Sequence, residues 1–108
     1  MINITFRPEE LSLEISGHAN HDVKGKDIVC SAVSCLFYTL GEALTQSLEM
    51  LTEPVVFMNH DGWGFLKCYP KEEYEGNIAR TYWTILVGLQ MLAEQYPENI
   101  SFNVKIEG

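Results

Sequence analysis

From Ile28 to Leu51 the chain places Val29, Val33, Leu36, Leu40, Ala43, Leu44, Leu48 and Leu51 at intervals of three and four, which a helix gathers into one broad stripe. Phe37 and Tyr38 widen the stripe, and the first half of the segment is apolar nearly all round. Ser31, Ala32, Ser34 and Cys35 are small enough there to let another backbone come close. A helix so coated needs cover on more than one side, which puts it at the centre of a fold or at a dimer seam. In a chain of 108 residues that cover has to come from most of the remaining sequence.

The remainder reads as strands and one more helix. Ile2, Ile4 and Phe6 alternate with polar neighbours, then Pro8, Glu9 and Glu10 turn the chain, and Leu11, Leu13 and Ile15 alternate again up to Gly17. Residues 18–26 hold one isolated Val and read as a mobile loop. Asp27 follows as a helix N-cap, because its carboxylate can accept from backbone N–H groups two and three residues on. Pro54 stops the helix, and the short apolar run Val55–Met58 leads to Asn59, His60 and an Asp61-Gly62 pair typical of a tight hairpin turn. Residues 63–69 return as a strand with Phe65, Lys67 and Tyr69 on one side. Asn77 to Tyr96 forms a second amphipathic helix ended by Pro97, and Ile100, Phe102, Val104 and Ile106 alternate in a last strand. The order ββαββαβ predicts one α+β domain over residues 1–108, with two long helices packed as a layer on a five-strand sheet.

Charge narrows the partners. Fifteen acidic against seven basic residues give a net charge of −8, which disfavours nucleic acid and anionic lipid and favours a basic partner. No apolar run reads as approaching the roughly 18 residues of a membrane span. The first fifteen residues include Arg7, Pro8, Glu9, Glu10 and Glu14 where a secretory signal would be apolar. Cysteines 30, 35 and 68 lack Cys-x-x-Cys spacing and cannot all pair, so reduced thiols in the cytoplasm are expected.

Polar groups that the fold does not explain gather between residues 18 and 30. With Asp27 as cap, Cys30 is the third helical residue, where unpaired N–H groups and the positive helix end favour thiolate over thiol. His18, twelve residues earlier, can fold back as its base, and N–H groups at the helix start can receive an oxyanion. The alternative is plain: Cys30 as packing within Ile28–Val33, and His18 as a surface residue. Asp27 is likewise a cap worth about 1 kcal/mol, or a group that orients His18 or substrate. His18, His21, His60 and the three cysteines show only a weak His-x-x-His spacing, so no metal or cofactor is expected. Cys35 and Cys68 read as core. Trp63, Tyr74, Tyr82, Trp83 and Tyr96 either line a peptide groove or, as their spacing favours, serve as core and dimer contacts.

The run from Gly17 to Ser34, Gly-His-Ala, a Gly-containing loop, then Asp-Ile-Val-Cys-Ser-Ala-Val-Ser, resembles the signature of the ribosomal-processing cysteine protease family, called Prp. Ser31 stands where that signature has Ala, a small-for-small change. The resemblance places the catalytic cysteine on Cys30 and the histidine on His18. It puts substrate-binding or orienting roles on Asp27 and Gly25. It implies a homodimeric endopeptidase that removes an N-terminal extension from ribosomal protein number twenty-seven of the large subunit. Independently of that, substrate is expected to order the segment from Ala19 to Lys26 and bring His18 into reach of Cys30. The rival reading is a dimeric, non-catalytic binding module for a ribosomal or assembly protein, in which Cys30 and His18 are dispensable.

Overall fold

A computed structural model of the chain describes residues 1–19, 22 and 27–107. The two alternating segments near the start form β1 (Ile2–Arg7) and β2 (Ser12–Ser16), an antiparallel hairpin in which Ile4 faces Ile15 and Phe6 faces Leu13. Helix α1 (Ile28–Gln46) follows, then β3 (Val56–His60) and β4 (Trp63–Lys67) as a second hairpin, α2 (Glu75–Gln95) and β5 (Ile100–Val104). The predicted ββαββαβ order is the one observed. Sheet order is β3-β4-β2-β1-β5, antiparallel except for the β1–β5 pair, which α2 makes parallel by carrying the chain back over the sheet.

Period-two alternation puts Ile2, Ile4, Phe6, Leu13, Leu66 and Ile100 on one sheet face. Onto that face the helices lay Val29, Val33, Phe37, Leu40 and Leu44 from α1, and Ile78, Tyr82, Ile85, Leu86 and Leu89 from α2. The helix layer covers one face of the sheet, as the pattern requires. By length and composition α1 is long and apolar enough to cross a bilayer, its only charge being Glu42, which corrects the reading that no run approaches that length. In this fold its stripe is occupied by the sheet and by α2.

Two local expectations change. The first helix stops at Gln46 instead of Leu51, and a single 3₁₀ turn takes residues Leu48–Met50. The Thr45 and Ser47 hydroxyls donate to the carbonyls of Gly41 and Ala43, and the Ser47 N–H shifts to the Leu44 carbonyl, tightening the last turn. Leu48 therefore leaves the stripe and is exposed, while Leu51 bridges to Pro70 and stays buried. Cys35 is exposed on the outer side of α1 beside Ser34, Tyr38 and Thr39, so it is not core. Cys68 is buried, as its strand alternation suggested.

Leu11, at φ 50, turns the chain into β2, and its carbonyl accepts from the buried Tyr82 hydroxyl at 2.6 Å. That hydroxyl also lies 3.6 Å from the Cys68 sulfur. Burial pushes the Cys68 thiol up, the Tyr82 hydrogen bond opposing it in part; burial, then the neighbouring Cys68, push the Tyr82 phenol up as well. Above about pH 8.5 the unfolded chain gives up the Cys68 proton while the folded chain keeps it, so folding weakens as pH rises. Thermal unfolding temperature is expected to be level from pH 6 to 8, to fall above about pH 8.5, and to fall more steeply above about pH 10 as Tyr82 joins. Cys68→Ala removes the first part of that decline.

Candidate active site

Strand register decides which residues meet. Ser16 pairs with both Asn3 and Trp63, Trp63 pairs with His60, and Ile2 pairs with Ile100. The start of β1, the end of β2, the β3–β4 turn and the start of β5 thus share one end of the sheet. The chain leaving β2 enters α1 there too. A cavity of about 580 Å³ opens at this end, lined by Gly17, His18, Asp22, Asp27, Cys30, Ser31, Ser34, Tyr38, Asn59, His60, Asp61, Gly62 and Trp63, with Ile2, Ile15 and Val33.

Two glycines shape the approach to His18. Gly17 has φ 92 and its N–H donates to the Gly62 carbonyl at 2.8 Å; a Cβ there would come within 2.2 Å of the Met1 carbonyl oxygen. Gly62, at φ 77 in the Asp-Gly turn, lies against the imidazole, where an added Cβ would sit 3.0 Å from His18 Nε2. The exposed His18 thus stands between the end of β2 and the second hairpin's turn.

Asp27 is buried and caps α1 as expected: one carboxylate oxygen accepts from Val29 N–H at 2.9 Å and Cys30 N–H at 3.0 Å, and its carbonyl accepts from Ser31 N–H at 3.1 Å. Cys30 is the third helical residue and half-buried. The N–H groups of residues 29 to 31 are therefore engaged, those of Val29 and Cys30 by the cap and that of Ser31 by the helix. The sulfur is served from elsewhere: Ala19 N–H, directly after His18, donates to Cys30 Sγ at 3.3 Å. His18 and Cys30 share the cavity, and among the described residues no hydrogen bond joins imidazole to thiol. Such contacts commonly tighten only once substrate is bound.

Gly25 and His21 lie outside the described residues. Among the described residues, no three His, Cys, Asp or Glu side chains gather as a metal-binding group. Of the five aromatics weighed above, Trp63 alone lines the cavity, while Tyr82 is core and Trp83 is exposed against Phe6. Sequence reasoning weighed Trp63 for a peptide groove but favoured packing, and it passed over the cavity positions of His60, Asn59, Tyr38 and Gly62. The Trp63 indole donates to Glu14 at 2.8 Å and stacks between His60 and Phe65, at centroid distances of 5.9 and 6.2 Å. Asn59 donates to the Tyr38 hydroxyl, tying β3 to α1. The Asp-Gly pair flagged the turn; only the β2–β4 register says that it faces His18.

The sequence profile of the family described as Cysteine protease Prp matches residues 1–101. The ribosomal processing cysteine protease Prp of Staphylococcus aureus is 27% identical over 106 residues, covering 96% of this chain and 97% of that protein. The crystal structure of the essential ribosomal processing protease Prp from S. aureus with a covalently linked product peptide superposes with a TM-score of 0.80 at 26% identity, covering 97% of this chain and all of that one. The crystal structure of SMU.848 from Streptococcus mutans gives 0.69 at 27% identity, over 98% of this chain and 93% of its own.

The cap carries a measurable cost. Asp27→Ala is expected to lower stability by about 1 kcal/mol in chemical unfolding, and Asp27→Ser to recover most of it through its own side-chain oxygen.

Proposed function

The chain belongs to the Prp family of cysteine proteases, and from that membership we propose that it uses Cys30 and His18 to remove the N-terminal extension of ribosomal protein number twenty-seven of the large subunit. The observation that carries this reading is the Cys30 sulfur held in the first turn of α1 by the N–H that follows His18, inside the cavity the two residues share. His18 takes the thiol proton, and the thiolate attacks the scissile carbonyl to give a tetrahedral adduct. That adduct collapses to a thioester as His18 protonates the departing amine. His18 then activates a water that hydrolyses the thioester and restores the thiol. Asp27 acts by fixing where α1 begins, and Gly25 takes a substrate-binding or orienting role.

A peptide substrate from a basic ribosomal protein suits a chain of net charge −8, and the same charge argues against direct binding of RNA. Three free cysteines suit the cytoplasm, where this processing would occur. A homodimer completes the reading. Trp83, Val87 and Met91, four residues apart on α2, form an exposed apolar stripe fit for a second copy.

The test is cleavage of the extended ribosomal protein, followed by mass spectrometry. Wild type releases the extension, Cys30→Ala releases none, and His18→Ala is slower by about 10²- to 10⁴-fold. Cleavage surviving Cys30→Ala overturns the nucleophile, and tight binding without cleavage by any form selects the binding module. For the dimer, Val87→Glu is expected to shift sedimentation to the mass of one chain without lowering the unfolding temperature of the monomer.

A further inference from the structure

We propose that Asn99 is a positioning residue for the thiol: it holds the Ala19 peptide so that the Ala19 N–H stays on Cys30 Sγ. This rests on the reading of Cys30 as nucleophile. The Asn99 side-chain amide donates to the Ala19 carbonyl at 2.8 Å, across eighty residues of sequence, and Ala19 N–H donates to the sulfur at 3.3 Å. Between those two bonds the Ala19 methyl is buried in the core, 1% exposed. Ala19 is therefore pinned through its carbonyl and its side chain, and these leave its N–H one direction to point.

Asn99 is itself held by rigid neighbours. Its carbonyl accepts from Ile2 N–H at 2.8 Å, and its own N–H donates to the Tyr96 carbonyl at 2.9 Å, in the turn that joins α2 to β5. The support for the sulfur's donor thus reaches back to the paired β1–β5 edge of the sheet. It is needed because the helix-start donors that would otherwise face the thiolate are engaged by Asp27.

The readout is the rate of iodoacetamide alkylation of each cysteine as a function of pH, resolved by peptide mass spectrometry. Asn99→Ala is expected to slow Cys30 alkylation at pH 7 by about tenfold, in line with losing a hydrogen bond to an ionised sulfur. The Cys30 rates should converge with wild type at a pH where the thiol is fully ionised, and the exposed Cys35 serves as an unchanged internal reference. Asn99→Asp, which keeps the shape and turns an acceptor toward the Ala19 carbonyl, should slow Cys30 at least as much. General loosening does the opposite, speeding Cys30 together with the buried Cys68. That result, or an unaltered Cys30 profile, overturns the role.

Wild-type protein offers a second measurement that needs no Asn99 variant to fold. The Ala19 amide proton resonance should move over the pH range in which Cys30 becomes reactive and stay flat in Cys30→Ala; a flat wild-type resonance overturns the proposal. Cleavage assays separate this from the substrate assignment. If wild type leaves the ribosomal protein intact while Asn99→Ala still slows Cys30 alkylation, the substrate is wrong and the Asn99 role stands. If wild type cleaves and Asn99→Ala alkylates like wild type, the Asn99 role alone falls.

Discussion

Burial of the α1 stripe on the sheet is the contact on which the rest depends. Val29 and Val33 are fully enclosed, and Cys30, rotated about 100° from Val29 along the helix, is left half-buried at the rim. The direction of the thiol follows from the packing of the residue before it. The Asp27 cap sets the first turn, and the β2–β4 pairing sets what faces that turn. A shift of one residue in the cap would turn the sulfur to another face of α1, and a one-residue slip in the β2–β4 pairing would change which residues meet it.

The elements were legible because their signals are local. Alternation in residues 2–16 and 100–104, the stripes of both helices, and an aspartate ahead of an apolar run each announce themselves within a few positions. What escaped the sequence depends on distance or on competition. The end of α1 turns on hydroxyls at Thr45 and Ser47 that compete for backbone carbonyls, where the apolar spacing alone continues to Leu51. The exposure of Cys35 depends on which flank α2 takes. Trp63, His60 and Gly62 sit by the thiol because a strand more than forty residues away pairs with β2. The motif located Cys30 and His18, but the ownership of the helix-start N–H groups is a matter of geometry that spacing does not carry.

Within the site, two demands on one helix end are met separately. The buried carboxylate at Asp27 satisfies the helix, and the sulfur draws its donor from the residue after the histidine. Around them the cavity mixes acidic groups with an aromatic wall in which Trp63 is steadied by Glu14. A thiol in such a place is braced from two elements, the sheet end at Asn99 and the first turn of α1.

The same two contacts bracket the stretch from residue 20 to residue 26. On either side of it, Ala19 is secured by the core and by Asn99, and Asp27 is tied to the helix that it caps. Asp22, inside the interval, lines the cavity. Both ends of the crossing from β2 to α1 are thus moored to the folded core, and the span it must bridge is set by the sheet and by the helix.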